Sequence, residues 1–223
     1  MDDGFTTGEL LLSLIELMYA LALPAVLFIL HRRRTDAKAF PLIVGFLTYL
    51  VVSWVRGVFR LFIPAEGLIV QAFFNALLSA SMEETGRHFS MKRILNGYIE
   101  PHNAVSYGIG HGGCELIMST GLSVLNALIT SVQTGQGDNS LFLVILGMIT
   151  MLTGILTHIC LSLIVFKGVG TDSRKYLFIA MAIHFATNFI GAIVIHYSAL
   201  LYIPLDVIFL IICIRWLRRV YNP

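Results

Sequence analysis

The chain has 223 residues, of which 57% are hydrophobic and 13% charged, with a formal net charge of +2 and a mean hydropathy of +0.83. An ordinary soluble domain carries about 25% charged residues, so this composition excludes one and points to an integral membrane protein. No motif for nucleic acid, nucleotide or haem occurs along it.

A helix needs about 20 apolar residues to cross a ~30 Å hydrocarbon core. In chain order, such runs cover roughly 10–30, 39–62, 68–87, 104–132, 141–166, 176–196 and 199–215. The expected fold is an all-α polytopic membrane bundle of about seven transmembrane helices, forming a single domain over residues 1–223. The first run follows Asp2, Asp3 and Glu9 rather than a basic stretch, and it exceeds a signal-peptide core, so it is expected to stay as a span. Cys114, Cys160 and Cys213 all fall inside proposed spans and read as buried small residues, not as a disulfide framework.

Of 15 Lys and Arg residues, all but Arg56 and Arg60 fall at one set of helix ends. These are Arg32 to Lys38, Arg87 to Arg93, Lys167 to Lys175, and Arg215 to Arg219. The connections at the other ends, around Gly67, Gly135 to Ser140 and Tyr197, have no Lys or Arg. The positive-inside rule makes the basic ends cytoplasmic, which puts the N-terminus outside and the C-terminus in the cytoplasm.

Depth follows from a rise of about 1.5 Å per residue. Glu84 precedes Arg93 by nine residues, His111 follows Asn103 by eight, His158 precedes Lys167 by nine and His184 follows Lys175 by nine. All four therefore lie about 12–14 Å in from the basic ends. Polar groups turned to lipid cost a few kcal/mol, so each is expected to face the bundle interior and share one chamber. Local spacing agrees: Glu83 and Glu84 are one helical turn from Arg87, His111 from Glu115, and His184 from Asn188. Gly108, Gly110, Gly112 and Gly113 surround His111 and suit a tightly packed helix.

Such groups suit hydrolysis of an amide bond. Glu83 or Glu84, assisted by His111, would deprotonate water as general base. His184 and Asn188 would donate to the developing oxyanion. A Zn²⁺ held by Glu and His ligands is a second route to the nucleophile, and both routes are compatible with these residues.

Glu83-Glu84-x-x-Arg87, Tyr107-x-x-x-His111 within Gly108-x-Gly110-His111-Gly112-Gly113-x-Glu115, the His158 of Thr157 to Ser162, and His184-x-x-x-Asn188 resemble the YhfC family of intramembrane metalloproteases. The resemblance covers about residues 80–190, and its most specific part is the glycine-rich stretch around His111. The same order of motifs is more distantly similar to the CAAX-processing and PrsW-type membrane proteases. The resemblance implies an endopeptidase with its site near the cytoplasmic face of a bacterial cytoplasmic membrane. Its catalytic residues would be Glu83, Glu84, Arg87, His111, His184 and Asn188, with Zn²⁺ as candidate cofactor on His111, His158 and His184. Its partners would be a peptide or membrane-protein substrate and the bilayer. Two departures stand out: the acid-to-arginine spacing is one residue shorter than in the CAAX-processing proteases, and Thr150-Met151 replaces an acidic-basic pair of the YhfC pattern.

Other polar residues read as structural. Glu16 and Arg56 lie at similar depth near the opposite face and are expected to pair. Arg60 is expected to snorkel outward, and Asp206 has no evident partner in the sequence. Two rival functions use similar groups: a proton- or ion-coupled transporter, and a non-catalytic scaffold of the same architecture. A transporter favours charges spread through the membrane depth and broken helices in repeated halves, whereas these charges share one level and no repeat is visible.

Overall fold

Helices begin and end close to where the apolar runs and their flanking polar residues place them. A computed structural model describes residues 6–63, 67–136 and 140–221, and the side chains of Asp206 and Cys213 lie outside the described set. The helices are α1 (Thr7–Arg32), α2 (Ala39–Arg60), α3 (Leu68–Phe89), α4 (Pro101–Leu116), α5 (Leu122–Thr134), α6 (Leu141–Gly170), α7 (Lys175–Tyr197) and α8 (Ala199–Tyr221). A π-helical turn, Ile117–Gly121, joins α4 to α5 in one rod, so the seven expected runs correspond to seven rods. Another π-helical turn, Ser90–Ile94, prolongs α3. Starts are capped as the sequence dictates: Thr6 accepts from the Glu9 amide, the Glu9 carboxylate accepts from Thr6 in return, and Pro101 opens α4.

Among the described residues, five rods are long and apolar enough to cross a membrane: α1, α2, the α4–α5 rod, α6 and α7. With this count the protein is a multi-pass membrane protein. Helix α3 is also 22 residues long but carries Glu83, Glu84 and Arg87, all fully buried, so its polar face turns inward rather than to lipid. In α8 the apolar stretch narrows to Ile203–Ile212.

Contacts between rods describe a ring. Helix α4 packs on α2 and α6, α6 on α7, α7 on α3, and α3 back on α2, while α1 lies outside against α4 and α6 and α8 outside against α6 and α7. Glycines set the closeness of α4 to each neighbour. A methyl group added at Gly110 would overlap the Leu42 carbonyl of α2, one at Gly108 would come within 2.6 Å of Ile159 Cα of α6, and one at Gly113 would press on Pro24 of α1. Without a hydrophobic drive between helices in lipid, such backbone approach supplies the dispersion contact that holds them.

The ring is filled unevenly. Toward the basic ends it is closed by a buried core of Val44, Met91, Tyr107, Leu161, Ile164, Val165 and Ala180. Lys92 Nζ also donates to Asp172 Oδ1 at 2.7 Å there, tying the end of α3 to the α6–α7 connection and holding the Asp172 carboxyl below its usual range.

Candidate active site: a buried carboxylate–histidine layer

All five ring helices contribute to one polar layer. Adjacent residues on a helix point about 100° apart, so Glu83 and Glu84 of α3 address different neighbours. Glu83 turns to α2 and α4. Its Oε1 accepts from Arg56 Nη1, and its Oε2 lies 3.2 Å from His111 Nε2 and 3.9 Å from His184 Nε2. Glu84 turns to α7, with Oε1 at 2.8 Å from His184 Nδ1 and Oε2 at 3.2 Å from Arg87 Nη1, the latter an ion pair aligned too poorly for a hydrogen bond.

Donor and acceptor logic fixes the rings. Arg87 can only donate, so its Nη2 at 3.0 Å from His158 Nδ1 leaves that nitrogen unprotonated and puts the proton on Nε2, which meets Glu115 Oε2. His184 donates Nδ1–H to Glu84, leaving the Nε2 lone pair toward Glu83 and His158. His111 donates Nε2–H to Glu83, and its buried Nδ1 has no partner among the described residues. Tyr49 meets the His111 ring edge-on at 5.2 Å, and Tyr107 stacks on it at 5.9 Å. His158 stands between the other two imidazoles, its ring centre 5.1 Å from that of His111 and 5.4 Å from that of His184.

Ligand-capable atoms of Glu83, His158 and His184, all buried, fall within 4.8 Å of one another. A tetrahedral zinc with bonds of about 2.0–2.1 Å holds its ligands roughly 3.3 Å apart, so this trio fits the ion after a small inward closure. To ligate through Nε2, His158 would carry its ring proton on Nδ1 instead, with the Arg87 guanidinium turned away from that nitrogen. The Glu84–His184 contact is the carboxylate–imidazole pairing that orients a metal-binding histidine. His111, expected as a ligand beside His158 and His184, stands outside this trio, and Glu83 occupies the third position.

The structure thus brings Glu83, Glu84, Arg87, His111, His158 and His184 into direct contact. Asn188 lies one turn from His184 along α7, at the border of the voids described next. Sequence reasoning missed Arg56, Tyr49 and Ser79, and left Glu115 without a role. Arg56 donates to Ser79 Oγ at 2.9 Å and to Tyr49 Oη at 3.2 Å as well as to Glu83, so it belongs to the site and not to an outer pair with Glu16. Glu16 instead lies against Gly147 of α6. The available signal was the seven-residue spacing of Tyr49 and Arg56, which places both on one face of α2.

Two voids adjoin the layer on the side away from the basic ends. One, about 430 Å³, runs along α6 past Met151, Leu146 and Leu143; the other, about 510 Å³, runs between α2 and α3 past Ser79, Asn75 and Arg60. Glu115, Ser119, Thr187, Asn188 and Ile195 border both, so they form two compartments of one bowl, with the polar layer at its floor.

Comparison with known proteins gives the same direction. In an alignment of 202 positions that covers 76% of this chain and 78% of the relative, the chain is 23% identical to a protein of Bacillus subtilis (strain 168) described as "Uncharacterized membrane protein YhfC". No solved structure matches it. The profile of the family described as YhfC intramembrane metalloprotease matches residues 19–143, more than half of the chain, which include Arg56, Glu83, Glu84, Arg87, His111 and Glu115. The chain belongs to the YhfC intramembrane metalloprotease family.

Proposed function

We propose that the protein is a metal-dependent endopeptidase that hydrolyses a peptide bond of a membrane-protein or peptide segment inside the bilayer. The observation that carries this reading is the buried Glu83–His158–His184 trio at the floor of a bowl large enough for a peptide. Zinc bound there would supply a water made acidic enough to attack at neutral pH and a polarising charge for the scissile carbonyl.

The chain's own residues have separable tasks. Arg56 and His111 hold the Glu83 carboxyl group in place, and Glu84 fixes the ring of His184. Glu115 is the carboxylate of the layer with access to the bowl, its side chain 29% exposed where Glu83 and Glu84 are fully buried. It is therefore better placed than either to take a proton from water and return it to the leaving amine. Asn188, which also borders both compartments, can turn its carboxamide toward the carbonyl oxygen. Beneath the layer the described core of Val44, Met91, Leu161, Ile164 and Val165 is apolar, which favours chemistry over transport.

The test uses the full chain in lipid nanodiscs with zinc, a library of membrane peptides, and the variants Glu83→Gln, His158→Ala and His184→Ala. About one bound zinc per chain and chelator-sensitive cleavage, both lost in the variants, are expected. A folded wild-type protein that binds no metal, or cleavage indifferent to chelator and to all three variants, overturns the reading.

A further inference from the structure

Arg60 stands apart from every other cation of the chain. With Arg56 it is one of two basic residues away from the basic ends, and Arg56 is already neutralised by Glu83. Among the described residues Arg60 meets no carboxylate, yet it is held in place: its Nε donates to Asn75 Oδ1 at 2.9 Å. The Asn75 amide is oriented in turn, because its Nδ2 donates to the Gln71 carbonyl at 2.8 Å. Both side chains line the α2–α3 compartment of the bowl. The facing compartment, along α6, is lined by Leu143, Leu146, Met151 and Ile155.

From this asymmetry we infer a substrate class: a segment that is apolar on one side of the scissile bond and bears a carboxylate on the other, which the Arg60 guanidinium receives. The inference rests on the proteolytic reading above and deepens it. Nε is committed to Asn75, and the two terminal nitrogens make no hydrogen bond to described residues, so the fork is free for a bidentate anion. A cation kept in an apolar chain with no acidic partner among the described residues is a candidate for a functional position in a membrane protein. Distance sets the register. Asn75 precedes Glu83 by eight residues of one helix, about 12 Å, which an extended peptide covers in roughly three to four residues. The carboxylate therefore lies about three to four residues from the scissile bond. It belongs either to an Asp or Glu side chain or to a free C-terminus.

Binding and cleavage are measured separately on the full chain in nanodiscs. Zinc-free protein is titrated with fluorescent apolar peptides of three kinds: one Glu with an amidated C-terminus, Gln with a free C-terminus, and Gln with an amidated C-terminus. At least one carboxylate-bearing peptide binds about tenfold or more tightly than the neutral one, and the first two arms tell side chain from terminus. Arg60→Gln abolishes that advantage while leaving the neutral peptide's affinity unchanged, and moving the Glu along the peptide gives an optimum three to four residues from the cut. Equal binding of all three peptides, or a preference that survives Arg60→Gln, overturns the inference. Carboxylate-selective binding without cleavage by the zinc-loaded protein would leave the recognition standing and sink the proteolytic reading. Cleavage without selectivity would do the reverse.

Discussion

His184 donates its Nδ1 proton to Glu84 at 2.8 Å, and this contact decides which face of the ring looks into the site. The Nε2 lone pair is left pointing at Glu83 and His158, the other two members of the trio that could hold a metal. Glu84 therefore acts through His184. Glu84→Gln keeps a hydrogen-bonding oxygen but removes the charge that raises the ring's basicity, so zinc affinity is expected to fall about 10- to 100-fold. Chelator competition on the purified protein measures it. An unchanged affinity would show that Glu84 serves only as the partner of Arg87.

The Arg56–Glu83 pair predicts a stability effect independent of catalysis. Removing one member of a buried pair leaves the other charge uncompensated, at a cost of about 3–5 kcal/mol. Arg56→Met in metal-free protein should lower the unfolding midpoint accordingly. The double variant Arg56→Met with Glu83→Gln should recover most of the loss, and a double-mutant cycle in detergent reports the coupling. Additive losses would mean that the two groups do not sustain one another.

Tight packing of α4 predicts a contrast between glycines. Gly110→Ala drives a methyl group into the Leu42 backbone, which cannot yield as a side chain can, and about 1–3 kcal/mol of destabilisation is expected. A methyl group at Gly57 meets nothing within 4 Å, so Gly57→Ala is the control and should be neutral or slightly stabilising. Thermal unfolding of both variants makes the comparison. Equal effects would remove close approach as the reason for these glycines.

Much of this arrangement was legible in the sequence because lipid imposes simple rules. Length and hydropathy gave the rods, and residue counts from the basic ends put Glu84, His111, His158 and His184 at one level, where the structure joins them. Rotation about each helix axis was not legible, since depth does not reveal azimuth. Glu83 and Glu84 share a level but face different helices, and for that reason Glu83, not His111, joins the two histidines. Arg56 was missed because depth was counted at the backbone: its Cα lies toward the far face, and its long side chain returns to Glu83. The open side of the layer depends on how bulky side chains fill the ring below it, which no motif records.

Glu115 provides the sharpest test of how the site works, because it touches both the histidine layer and the bowl. Its carboxylate meets His158 Nε2 and borders both compartments, whereas it is absent from the trio that would hold the metal. Glu115→Gln preserves shape and a hydrogen-bonding oxygen but cannot carry a proton. Zinc content should remain near that of the wild type while the turnover rate falls about 10²- to 10⁴-fold, the range for loss of a general base. Metal analysis and single-turnover cleavage on the same sample measure both. Loss of zinc in this variant would move Glu115 into the ligand set, and unimpaired turnover would return the base to Glu83 or Glu84.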